Sequence, residues 1–214
     1  MHNLGKLFNN LPKHTIETLL AEVPHTIKSY EPQDIIFNEM DFSRQLGILL
    51  KGEVQTYKTL SVGNELLLNH LHTGALLGIG YVWGNAECFP VTIKAVKSSS
   101  VLFLPKSSLK QLFLLEPIIL DNFLDAINDN FEYLNNKIEM LAIPSAKDRL
   151  LFAVTQSYQD KKSVTLNKSK LCQELSISRA SLYRSLEQLE HEKYIEIHDN
   201  GKITLNPSIM KQFN

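Results

Sequence analysis

Apolar residues along this chain follow three successive periods. From about Ile27 to Leu104 they come in short runs, several of them alternating with polar residues. These are Asp34-Ile35-Ile36-Phe37, Leu46-Gly47-Ile48-Leu49-Leu50, Glu53-Val54-Gln55-Thr56-Tyr57, Glu65-Leu66-Leu67-Leu68, Val91-Thr92-Ile93-Lys94-Ala95 and Ser100-Val101-Leu102-Phe103-Leu104. Turn formers separate them: Glu31-Pro32, Lys51-Gly52, Val62-Gly63-Asn64, Thr73-Gly74 and Trp83-Gly84-Asn85. Many short strands at roughly ten-residue spacing predict an antiparallel sandwich or barrel. A helical lead-in over residues 4–21, broken by Pro12 and Pro24, precedes them.

After Pro105 the period becomes helical. Leu120, Leu124, Ile127, Phe131, Leu134, Ile138 and Leu141 step alternately by four and three, a sustained heptad seam. So narrow an apolar stripe on one helix calls for a partner, most simply its own copy in a parallel homodimer. Proline disfavours helical geometry in the residue before it, so Ile143-Pro144 ends this helix. Ser145-Ala146-Lys147-Asp148 then starts another as a capping box. The expected organisation is residues 1–115, a helix over 116–143, and a C-terminal domain over 145–214.

The third pattern runs from Asn167 to His191. Asn167 is a good N-cap, and Leu171 and Leu175 give a first helix its apolar face. Ser176-Ile177 makes the turn and Ser178 caps a second helix, on which Leu182, Leu186 and Leu189 share one side. Arg179, Ala180, Ser181, Tyr183 and Arg184 occupy the other side near its start. An apolar back with a front of arginine and small polar residues suits a helix that enters the DNA major groove. Tyr194 to Ile197 and Lys202 to Leu205 follow as two strands around Asp199-Asn200-Gly201, a strong hairpin signal. A helix over about 146–158, a short strand from Ser163 to Leu166, helix-turn-helix and hairpin make a winged helix.

The net charge of −1 hides an asymmetry. From Ser145 onward there are 11 Lys+Arg against 8 Asp+Glu, leaving 11 against 15 in residues 1–144. A basic end on an acidic body fits a DNA-binding module joined to something else. With 43% hydrophobic and 21% charged residues the 214-residue chain is of soluble globular type. Cys88 and Cys172 form neither a disulfide framework nor a zinc spacing, which suits a reducing cytoplasm. No run reaches the length of a membrane span, and the opening MHNLGKLFNN lacks the apolar core of a signal peptide. A cytoplasmic protein without a membrane partner is expected.

Strands, long helix and winged helix, in that order and length, resemble the family of the cyclic-AMP receptor protein and FNR over essentially the whole chain. Leu175-Ser176-Ile177-Ser178-Arg179-Ala180-Ser181-Leu182-Tyr183-Arg184 is similar to the family's turn-and-recognition signature of Ser-Arg-Glu-Thr-Val-x-Arg type. Arg179 and Arg184 match its two arginines, and Ala180 replaces its acidic residue. Lys51-Gly52-Glu53-Val54, Leu77-Gly78 and Ala95 to Leu104 match strands of the sensor half. The resemblance implies an α+β chain: an N-terminal double-stranded β-roll of the cyclic-nucleotide-binding jelly-roll type, a long dimerisation helix and a C-terminal winged helix-turn-helix. It implies a homodimeric transcription regulator on a pseudo-palindromic operator, with RNA polymerase as a partner if it activates.

The departures matter as much. Cyclic-nucleotide binders of the family follow the glycine with Glu and later place Arg-Ser on the phosphate. Here Gly78 precedes Ile79, and the gapless counterpart of Arg-Ser is Phe89-Pro90. A buried phosphate needs a charge-assisted donor, and none stands between Tyr81 and Ile93. Cyclic AMP is therefore not the expected ligand. Gly78, Ile79, Tyr81 and Phe89 are the candidate lining of a pocket for an unknown effector, and the aromatics Tyr81, Trp83 and Phe89 read alternatively as plain core. FNR's N-terminal cluster cysteines are absent, and two cysteines cannot hold an iron–sulfur cluster within a chain.

Arg179 is expected to read a guanine edge, and Arg184 a second base or a phosphate. Ser178, Ser181 and Tyr183, with Lys168 and Lys170, are expected on the DNA backbone. The competing reading is a cupin-like metal-binding enzyme with an accessory helical domain. Alternation puts His70 and His72 on one strand face, but no glycine, carboxylate or third histidine follows at useful spacing. Neither metal, cofactor nor catalytic residue is expected. Glu87 beside Cys88 would raise its thiol pKa, which argues against a redox switch.

Overall fold

The computed structural model describes residues 4–39, 44–59, 65–84, 89–159, 164–165, 168, 171–172, 175, 177–198 and 202–206. They fall into two compact units, Met1–Phe131 and Glu132–Asn214. The turns expected at residues 62–64 and 199–201, Asn85, Cys88 and Asn167 lie outside the described residues.

The first unit opens with a 3-10 turn, Lys6–Phe8, and helix α1, Lys13–Ala21. Among the described residues eight strands follow: β1 Thr26–Tyr30, β2 Ile35–Phe37, β3 Gln45–Lys51, β4 Glu53–Thr59, β5 Glu65–His72, β6 Leu76–Leu77, β7 Thr92–Ala95 and β8 Ser99–Pro105. They form two four-stranded sheets, ordered β1-β8-β3-β6 and β2-β7-β4-β5. Their pairings are antiparallel. Helices α2, Lys106–Leu115, and α3, Ile118–Ala142, come next. Glu116-Pro117 separates them. Proline's fixed φ suits a helix start, and the Pro117 carbonyl accepts from the Leu120 amide at 2.9 Å.

Strand β3 explains why its sequence reads as an unbroken apolar run. Leu46, Ile48 and Leu50 join Leu102 and Leu104 of β8 under the helices, in one core with Leu7, Ile16, Leu109, Leu112, Ile119 and Phe123. Leu49 points to the other face, into a core with Phe37, Val54, Phe89, Ile93, Val101 and Phe103 between the sheets. A strand buried on both faces has no polar positions to alternate. Gly47 is forced by the same crowding, because a Cβ there would meet Leu77, Val101 and Phe37 at 3.1–3.3 Å. Gly52 turns β3 into β4 at φ +102, where an added Cβ would sit 2.7 Å from the Ser99 Cα. Only glycine holds that conformation in that space.

The second unit contains helix α4, Ala146–Gln159, strand β9, Val164–Thr165, helix α5, Arg179–His191, and strands β10, Ile195–Ile197, and β11, Lys202–Leu205. The strands form one sheet ordered β10-β11-β9, with Ile195 opposite Leu205 and Lys202 opposite Thr165. Its core gathers Leu150, Val154, Leu171, Leu175, Leu182, Leu186, Leu189, Ile195, Ile203 and Leu205, with Met140. The Ser145 hydroxyl accepts from the Asp148 amide at 3.4 Å, the cap its sequence predicts.

Candidate nucleic-acid interface

Helix α5 begins at Ser178, whose extended φ and ψ (−70°, 156°) take it out of the helix while its side chain accepts from the Ser181 amide at 3.1 Å. That satisfies one of the orphan amides of the first turn and leaves the hydroxyl proton to donate elsewhere. Leu182, Ser185, Leu186 and Leu189 are buried, and this fixes the rotation of the helix. Arg179, Ala180, Tyr183 and Arg184 are exposed and Ser181 is half-buried, all within the first two turns. Exposed Lys168 lies over the Tyr183 ring, its ammonium 4.7 Å from the centroid. Such an arrangement contributes about 0.5–1 kcal/mol at an exposed site and brings a cation to the same face. Lys168, Ser178, Arg179, Ala180, Ser181, Tyr183 and Arg184 are thus gathered at the start of one helix, while Lys170 and Ser176 lie outside the described residues.

Arg149 carries no motif in the sequence, yet it organises this unit. Its guanidinium donates to the Ile143 carbonyl at 2.8 Å, the Leu175 carbonyl at 3.2 Å and the Pro144 carbonyl at 3.4 Å. One side chain therefore joins the end of α3 to the turn before α5. Its only signal in the sequence is that of a lone arginine among the apolar residues of α4. Arg149→Met is expected to leave three carbonyls without this donor and to destabilise the chain by about 1–3 kcal/mol. Thermal unfolding checks it, and an unchanged midpoint would remove Arg149 from this role. Elsewhere in the unit the Glu192 carboxylate, 2.8 Å away, holds the Lys147 ammonium above its usual range.

Helix α3 carries two apolar stripes. Ile119, Phe123 and Ala126 are buried in the first unit, whereas Leu120, Leu124, Phe131, Leu134 and Ile138 are 38–65% exposed. Ile127 lies between the stripes and packs against the core. The side chain of Leu141 is outside the described residues. The heptad residues of the sequence therefore face away from their own chain over most of the helix.

Inside the β-roll the candidate effector residues separate. Phe89 is 4% exposed and stacks on Phe37 with centroids 4.7 Å apart. Its ring lies 3.1 Å from where a Cβ on Gly78 would stand, and Tyr81 tilts against it at 5.2 Å. Gly78, Tyr81 and Phe89 thus come together, with Phe89 filling the space. Ile79 does not join them. The 3-10 turn Ile79–Tyr81 breaks strand alternation and sends Ile79 into the core beneath the helices. Trp83 also leaves the group, stacking on Phe113 at 5.6 Å and edge-on to Phe123 at 5.0 Å.

The histidine pair gains a third ligand type that spacing along the chain does not reveal. Cross-strand pairing sets Glu53 of β4 opposite His72 of β5. His70 Nε2 lies 3.5 Å from Glu53 Oε2, and His72 Nδ1 lies 3.8 Å from Glu53 Oε1. Lys97 donates to Glu53 Oε1 at 2.7 Å, and this bond is the main reason the carboxyl lies below its usual range. No carboxylate follows His72 at ligand spacing, but antiparallel pairing supplies one from the preceding strand.

Residues 27–115 match the family model of the cyclic nucleotide-binding domain. No curated protein matches the sequence. Among solved structures, CprK complexed with OCPA is similar at 12% identity over 91% of this chain and 92% of that chain, with a TM-score of 0.73. A mutant of CooA from Carboxydothermus hydrogenoformans gives 16% identity over 99% and 95%, with a TM-score of 0.72. The catabolite activator protein of Thermus thermophilus gives 18% identity over 97% of each chain, with a TM-score of 0.57. Among the described residues no helix is long and apolar enough to cross a membrane.

Proposed function

We propose, from a chain whose residues 27–115 match the cyclic nucleotide-binding domain and whose fold is similar to those of the Thermus thermophilus catabolite activator protein and CooA, that it is a homodimeric, sequence-specific DNA-binding transcription regulator of the cyclic-AMP receptor protein and FNR type and not an enzyme. The observation that carries this reading is helix α5. Its buried Leu182, Leu186 and Leu189 anchor a helix whose exposed first two turns hold Arg179, Tyr183 and Arg184. In this reading residues 145–214 are a winged helix-turn-helix, with β10 and β11 as the wing. Arg179 reads a guanine through O6 and N7, and Arg184 contacts a second base or a phosphate. Ser178, Ser181, Tyr183, Lys168 and Lys170 hold the DNA backbone. The exposed stripe of α3 pairs with its copy, which makes residues 116–143 the dimerisation helix. Cytoplasmic location and RNA polymerase as a further partner of an activator belong to the same reading.

Two-fold symmetry predicts the form of the operator. Selection from a random duplex pool should return pseudo-palindromes whose half-sites lie about one helical turn apart. A pool with no enrichment, or with asymmetric winners, would overturn the reading.

Cyclic AMP is expected to bind weakly. Ile79 faces away from the roll interior, Phe89 occupies it, and neither supplies the charge-assisted donor that a buried phosphate needs. Calorimetry at neutral pH should detect no micromolar site; an affinity of about −8 kcal/mol would contradict this. The sensor half then takes a non-nucleotide ligand or serves as a rigid dimer scaffold.

A further inference from the structure

Strand alternation places His70 and His72 on the face of β5 opposite Leu71, and Glu53 on the face of β4 opposite Val54. Leu71 and Val54 belong to the core between the sheets, so the three polar side chains stand together on the outer face. Their donor atoms all lie within 4.8 Å of one another. The two imidazole rings are 4.9 Å apart, centroid to centroid.

We propose that Glu53, His70 and His72 form a site for one divalent cation of zinc's class. Two imidazole nitrogens and a carboxylate oxygen suit zinc, cobalt or nickel, whereas calcium and magnesium favour oxygen ligands alone. Tetrahedral zinc with bonds of about 2.0–2.1 Å sets its ligands about 3.4 Å apart. The histidine-to-carboxylate separations of 3.5 and 3.8 Å are already close to that. Three protein ligands leave the remaining position to water or to another donor.

The frame around the cluster is built before any ion arrives. The Glu53 carbonyl accepts from the Val96 amide at 2.8 Å and from the Ser99 hydroxyl at 3.3 Å. Its amide follows Gly52, whose left-handed turn fixes the start of β4. The His70 amide donates to Asn69 Oδ1 at 2.8 Å. The side chains of His70 and Glu53 are largely covered, while that of His72 is 58% exposed and gives an ion its entry. Lys97 occupies one carboxylate oxygen from an exposed, flexible stem. It competes with a second positive charge and must swing aside or stay on the outer oxygen when the ion binds. The site belongs to the first unit and does not depend on the DNA-binding reading.

The test is calorimetric titration of zinc chloride into the full-length chain, first stripped with chelator. One zinc per chain is expected for the wild type. His70→Gln and Glu53→Gln should each weaken binding at least about tenfold, the lower end of what even an outer partner of a metal ligand costs. Lys97→Met should bind as tightly as the wild type or more so. Cobalt(II) should give the visible bands of a four-coordinate nitrogen and oxygen site, and His72→Gln should lose them. His72 is exposed, so this variant leaves the fold intact, which circular dichroism verifies. A double Cys88→Ser, Cys172→Ser variant should bind like the wild type. Absence of a zinc site in the wild type, unchanged binding in His70→Gln and Glu53→Gln, or loss of binding only in the cysteine variant would each overturn the proposal.

Discussion

Arg179→Ala is expected to erase discrimination between operator and scrambled duplex while leaving the fold intact. The side chain is exposed on the first turn of α5, outside the apolar cores of both units. Its removal therefore opens no cavity in either core. Its neighbour Ala180 is too short to replace it and reaches at most a thymine methyl. A bidentate arginine–guanine pair is worth about 1–3 kcal/mol of discrimination. A symmetric dimer forfeits two, or roughly 2–6 kcal/mol if the half-sites act independently. That removes much of a specificity margin of typically about 4–10 kcal/mol. Lys168→Ala should behave differently. It should weaken all duplexes alike and lower the salt slope by about 1 for each phosphate the lysine no longer neutralises. Titrations of operator and scrambled duplex at two salt concentrations separate the two roles. Equal weakening of both duplexes by Arg179→Ala would make Arg179 a backbone residue.

Leu134→Lys should convert the proposed α3 dimer to monomer. Leu134 is 46% exposed on its own chain, so a lysine there is tolerated in the single protomer. Across a two-fold seam the same change sets two ammonium groups into an apolar interface beside each other. Desolvating each costs several kcal/mol. The heptad repeat also loses a knob from each helix. Light scattering should register half the wild-type mass with unchanged helical circular dichroism. An unchanged dimer mass would place the interface elsewhere. In the proposed two-half-site mode of DNA binding, the variant should also bind operator more weakly than the wild type.

Some elements are legible in the sequence and others are hidden, for identifiable reasons. The α3 heptad is visible because it is a local pattern, and Leu120, Leu124, Phe131, Leu134 and Ile138 of it are exposed where Ile119 and Phe123 are not. Helix α5 is visible because Ser178 and the leucines after it lie within four turns of each other. The β-strands are readable as short runs, but their partners are not. Glu53 meets His72 only because β4 and β5 pair in one particular register. Nothing in the spacing of His70 and His72 announces a carboxylate on the preceding strand. For Ile79 and Trp83, proximity in sequence misleads. A 3-10 turn changes the direction of successive side chains, so Gly78, Tyr81 and Phe89 meet while Ile79 and Trp83 pack toward the helices. The role of Arg149 is hidden because its three acceptors are backbone carbonyls, which carry no residue identity.

In the proposed function two copies of this chain read one symmetric duplex through α5. Native mass spectrometry of the 214-residue chain with a duplex recovered by selection is the test. Two chains on one duplex are expected with the wild type, and loss of that complex with Arg179→Ala although the free dimer persists. A complex of one chain per duplex, or a two-chain complex that Arg179→Ala leaves undiminished, would contradict it.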